Sequence, residues 1–107
     1  MNNKEANAKV IFRFLKLDKL QAITLTHEIK GSSYIPHDKG RYEGSIELEE
    51  CYFEDLITFF VRQQIPLSAC DILVSVASQQ TGTFATPMVV NKMLKHIDCQ
   101  ITFAYPC

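Results

Sequence analysis

The chain has 107 residues, 47% of them apolar and 21% charged, with a formal net charge of -1; this suits one domain with its own core and excludes two conventional domains or a disordered chain. So small a charge argues against broad nucleic-acid affinity, which needs a basic surplus to neutralise phosphates. Residues 1–9, MNNKEANAK, lack the apolar run of a secretory leader, and no later stretch approaches the ~20 apolar residues that span a bilayer. The expectation is therefore a cytoplasmic, soluble single domain over residues 1–107, with residues 1–8 a flexible lead-in.

Val10, Phe12 and Phe14 recur at period two opposite Ile11, Arg13 and Leu15, which predicts a first strand partly covered on its second face. Asp18, with Gln21 three residues later, forms a capping box for a first helix, whose buried face is expected to carry Leu20, Ile23, Thr24 and His27 and whose stop is Gly31. Gly31 to Gly44 holds three of the four glycines and Pro36, so it reads as a long surface loop. Ser45–Glu49 alternates apolar and acidic residues, as an edge or half-exposed strand does. Phe53, Leu56, Ile57, Phe60 and Val61 then repeat at helical spacing, behind acids that suit the positive end of a helix dipole, and Pro66 closes that element.

Cys70–Ala77 is apolar on both sides and is expected near the centre of a sheet. After the loop Ser78–Phe84, Thr86 and Pro87 form the cap and first position of a third helix, carrying Val90, Met93, Leu94 and Ile97. Cys99, Ile101, Phe103 and Tyr105 share one face of a final strand. The order is β-α-β-α-β-α-β, and the expected fold class is α+β: a two-layer sandwich with one mixed four-stranded sheet and the helices packed on it. A doubly wound parallel sheet is disfavoured by the short, amphipathic second strand.

The chemistry-bearing residues are sparse. His27, His37 and His96 and the four cysteines, Cys51, Cys70, Cys99 and Cys107, match no short zinc-ligand spacing and contain no C-x-x-C pair. The cysteines read as reduced, buried thiols, and His96 as a cap on the negative end of the third helix. There is no G-x-S-x-G elbow around Ser32 or Ser33, no phosphate loop and no dinucleotide fingerprint. No catalytic residue, metal or cofactor is expected.

The charge distribution is uneven. Residues 42–61 contain Glu43, Glu47, Glu49, Glu50, Glu54 and Asp55 and no Lys or Arg, whereas residues 1–41 hold eight of the eleven bases. Such an acidic segment can steer a basic partner, or it can simply be a solvated face that guards an edge strand and complements a helix dipole.

From Ile72 to Tyr105 the apolar strand, the Thr81-Gly82-Thr83-Phe84 loop, the Thr86-Pro87 helix start, Met93-Leu94 and Ile101–Tyr105 resemble the DUF4279 family of small bacterial proteins. Ile23-Thr24, Pro36 and Gly40 are loosely similar as well. In size, acidity and lack of catalytic machinery the chain is also similar in type to bacterial immunity proteins, including those of contact-dependent growth inhibition. That resemblance implies a cytoplasmic, non-enzymatic protein that binds one cognate toxin domain, expected to be a nuclease, and blocks its active site. The partner-binding residues it points to are Tyr42, Glu43, Glu47, Glu49, Glu50, Tyr52, Phe53, Glu54 and Asp55, with the aromatics as anchors among the acids. The alternatives are a small ligand-binding or regulatory domain with a pocket under the Gly31–Gly44 loop, and an enzyme using His37 and a thiol.

Overall fold

A computed structural model describes residues 8–76 and 87–104; the Ser78–Phe84 loop, Thr86, Tyr105 and Cys107 lie outside them. The elements run β1 (Ala8–Leu17), α1 (Lys19–Glu28), β2 (Ser33–Pro36), β3 (Tyr42–Glu47), α2 (Phe53–Arg62), β4 (Cys70–Val76), α3 (Met88–Leu94) and β5 (Gln100–Ala104), with 3₁₀ turns at Glu50–Tyr52 and Leu67–Ala69. The fold is α+β, built on one mixed sheet of five strands in the order β2-β3-β1-β4-β5. Every neighbouring pair is antiparallel except β4 and β5.

The sheet has one strand more than the alternation of the sequence suggests, and the helices and strands do not strictly alternate. The Gly31–Gly44 segment is a hairpin: β2 pairs with β3 from Ser33↔Ser45 to Pro36↔Tyr42. The reason it escapes pattern reading is that β2 has no buried side, with Ser33, Ile35 and Pro36 exposed and Tyr34 half-buried. As an edge strand ending in proline it resists pairing with another chain. Its presence makes β3 an interior strand, half-exposed and not at the edge, and extends that strand back to Tyr42.

The turn of the hairpin is built on Lys39 and Gly40, with φ of 40° and 79°. The Arg41 N–H donates to Asp38 O at 2.7 Å and the His37 N–H to Arg41 O at 2.9 Å. Two consecutive positive φ values bend the chain in the hand that matches strand twist. At the other side of β3, β1 carries a bulge between Phe14 and Leu17. One inserted residue turns Leu17 inward, where it is fully buried, and leaves Lys16 exposed.

The register places Phe12 opposite both Ile46 and Ile72, and Val10 opposite Val74. This face forms one core with the buried residues of all three helices: Ala22 and Leu25 of α1, Leu56 and Phe59 of α2, and Val90 and Met93 of α3. The rings of Phe12, Phe14 and Phe59 meet edge to face at 5.1 and 5.0 Å. The opposite face, bearing Ile11, Arg13, Leu15, Ser45, Leu73 and Thr102, is half-buried and contributes nothing to that core. The helices therefore lie on one side of the sheet.

The capping box of α1 is present, with Gln21 N donating to Asp18 Oδ1 at 2.7 Å and Asp18 N to Gln21 Oε1 at 3.0 Å. The buried stripe is rotated from the expected one. Ala22, Leu25 and Ile29 point inward, while Leu20 is 73% exposed and His27 is exposed. In α2 Leu56 and Phe59 are buried and the expected Phe53, Ile57 and Phe60 pack against the core, while Val61 is 64% exposed. That helix stops before Pro66: Gln64 takes a φ of 55°, its N–H donates to Val61 O, and Ile65 N–H reaches back to Phe60 O at 3.1 Å. Pro87 caps α3, which begins at Met88. No helix among the described residues is long and apolar enough to cross a membrane.

Candidate functional site

The acids of residues 43–55 fall into two groups because β3 carries them to different places. Glu43 and Glu47 stand on the half-buried sheet face, four residues apart, which in a strand is roughly 13 Å. Leu48 is buried in the core, and its N–H donates to Val10 O at 2.9 Å. That contact turns the chain over the end of the sheet. Beyond it Glu49, Glu50, Glu54 and Asp55 are all exposed around the 3₁₀ turn and the first turn of α2.

Two of the six acids are committed within the fold. Glu50 pairs with Lys92 of α3 at 3.1 Å, and Glu43 lies 3.8 Å from Arg13. Glu49 accepts a weak contact from the Cys51 thiol at 3.7 Å. Glu47, Glu54 and Asp55 have no ion-pair partner among the described residues. Tyr42, Tyr52 and Phe53 are half-buried against the chain's own core. The Tyr42 ring meets Tyr34 at 5.5 Å and Phe53 meets His96 at 6.1 Å. Tyr52 lies over the Gly31 turn, where a Cβ at Gly31 would come 3.2 Å from its hydroxyl. Tyr42 and Glu43 stand at the hairpin end of β3 and the other seven of the nine candidate residues at its far end, so the structure does not gather all nine into one patch.

A feature that periodicity did not single out is a polar ladder across the half-buried face. Arg13 donates twice to Asp71, from Nε at 2.7 Å and from Nη2 at 2.5 Å, and Thr102 donates to Asp71 Oδ2 at 2.8 Å. Asp71 is only 4% exposed, and its hydrogen bond is the main reason that the Arg13 pKa is raised. The signal was available: an acid and a base fall on the same parity of two strands whose other residues are mostly apolar. The ladder links β3, β1, β4 and β5 and fixes their register.

The thiols differ among themselves. Cys70 and Cys99 are buried, and burial pushes them up to about 12 and about 11. These are poor nucleophiles. Cys51, expected to be buried, is exposed on the 3₁₀ turn, because that turn sits outside the sheet. His37 lies in the β2/β3 turn, the length of β3 away from Cys51, so the two cannot share a proton. No group of three or more His, Cys, Asp or Glu able to hold a metal occurs among the described residues. One concavity of about 130 Å³ lies at the hairpin turn, lined by Pro36 to Tyr42.

Compared with protein-family models, with curated proteins and with solved structures, the chain matches none.

Proposed function

We propose that the chain is an immunity-type protein that binds a basic toxin domain, a nuclease, and blocks its active site through the acidic corner formed by Glu47, Glu49, Glu50, Glu54 and Asp55. The observation that carries this reading is that Glu47, at the far end of β3, and Glu54 and Asp55, in the first turn of α2, stand exposed with no ion-pair partner among the described residues. Acids spent on folding stability are normally paired or placed to complement a dipole. Glu54 and Asp55 do sit in the first turn of α2, and Glu49 at the N-cap of the 3₁₀ turn before it, but Glu47 serves no helix. Unpaired charge on a corner raises the encounter rate with an oppositely charged cleft. A DUF4279-like architecture, suggested by residues 72–105, belongs to the same proposal, as do the cytoplasmic setting and the absence of catalytic activity.

The test is kinetic. The chain is co-purified with the product of the adjacent open reading frame, and association is measured by stopped flow at low and high salt. Glu49→Lys with Asp55→Lys is expected to slow association at least tenfold at low salt, with little change at high salt. Association rates that are equal in wild type and variant would remove the acidic corner from the interface.

A further inference from the structure

The opposite end of the sheet has the opposite charge. Leu17 pairs with Tyr42, so the end of β1 and the start of α1 lie beside the β2/β3 turn. This register brings Lys16 and Lys19 to the same end as His37, Lys39 and Arg41, five residues distant in sequence that are all exposed. None of the five has an ion-pair partner among the described residues. Of the three acids here, Asp18 already accepts the Gln21 N–H at the start of α1, and Glu43 lies 3.8 Å from Arg13. Asp38 is left against the positive charges of Lys16, Lys19, Lys39 and Arg41.

The turn itself is concave. Its cavity of about 130 Å³ is lined by Pro36, His37, Asp38, Lys39, Gly40, Arg41 and Tyr42. Drug-sized ligands occupy about 300–1,000 Å³, so this space suits one oxyanion and a few waters. The turn engages the N–H groups of His37 and Arg41, while those of Asp38, Lys39 and Gly40 donate to no acceptor among the described residues. Successive unengaged N–H groups on a tight turn, with Lys and Arg beside them, are a standard means of holding a phosphate.

We propose that the β2/β3 turn is an oxyanion site that takes the phosphate of a small phosphate monoester, with Lys39, Arg41 and the turn N–H groups as ligands and Lys16 and Lys19 as the surrounding field. The site is the length of β3 away from the acidic corner, so it stands or falls independently of the toxin-binding reading.

The test is an amide NMR titration of the full chain with inorganic phosphate, at ionic strength held constant with chloride, followed by glycerol 3-phosphate. Saturable shifts centred on Asp38, Lys39, Gly40 and Arg41 are expected. Lys39→Gln with Arg41→Gln should weaken apparent affinity at least tenfold. Gly40→Ala should also weaken it without changing charge: a Cβ there meets no atom within 4 Å, but its φ of 79° disfavours alanine. A parallel arm with phosphatidic acid vesicles tells a lipid source from a free ester, and binding to vesicles alone would overturn the small-ester assignment. Shifts that do not saturate, or that are the same in the double variant, would overturn the site altogether.

Discussion

A single methyl group at position 44 would collide with the core. A Cβ built there overlaps Leu25 Cδ2 and comes 3.0 Å from Leu17 Cδ1, so at Gly44 a side chain of α1 packs directly on the backbone of β3. The backbone here is ordinary extended strand; what glycine supplies is space. Gly44→Ala is expected to destabilise the fold by about 1–3 kcal/mol, as overpacking does, with a lower urea midpoint and an unchanged slope. The same reading explains why Leu17 must face inward, and hence why β1 needs its bulge. Without that extra residue Leu17 would fall on the opposite face and Lys16 would point at α1.

The elements were legible from the sequence in proportion to how one-sided their burial is. β1 and β4 stand out through apolar alternation that their neighbours then bury. The cap of α1 was legible because Asp18 and Gln21 act within one turn. β2 was hidden because an edge strand with no buried side has no periodicity to read. The rotated stripe of α1 has a different origin: Leu20 is apolar yet exposed, so composition named the wrong side, whereas in α2 the expected Phe53, Leu56, Ile57 and Phe60 do pack on the core and only Val61 falls outside it. This gives a paired test in α2. Phe59→Ala should cost about 3–5 kcal/mol, the usual price of emptying a buried aromatic site, whereas Val61→Ala should stay within about 0.5 kcal/mol. Thermal unfolding of the two variants side by side checks which face is inside. The acidic corner was visible as a run of charge, but its division into partnered and unpartnered acids depends on the register of β3 and on where Lys92 and Arg13 fall.

At the scale of the whole molecule, charge is divided between the ends of one sheet, while the core stays almost wholly apolar. Its ionisable exceptions give a pH dependence with a definite sign. Cys70 and Cys99 are pushed up from 9.0 to about 12 and about 11, chiefly by burial and then by neighbouring negative charge. More than about a unit below 9.0 both remain protonated whether the chain is folded or not, and stability is unaffected. Above it the unfolded thiols ionise while the folded ones do not, so stability falls as pH rises toward 11–12. Urea midpoints measured between about pH 8 and 10.5 should decline, and Cys70→Ala should flatten the decline. An equal slope in that variant would mean the buried thiol is not its source.

The parallel pairing of β5 with β4 also has a consequence for how the chain emerges during synthesis. By the time β4 has been made, the chain has the strands of β2-β3-β1-β4 and two helices, yet Ile72 and Val74 still lack Val90, Met93 and Ile97, which share their core. A nascent chain arrested before α3 would display an uncovered apolar strip beside an unpaired strand edge, the combination that recruits chaperones or neighbouring chains. Closure of this core thus falls to α3 and β5, which together cover what the elements before them leave open.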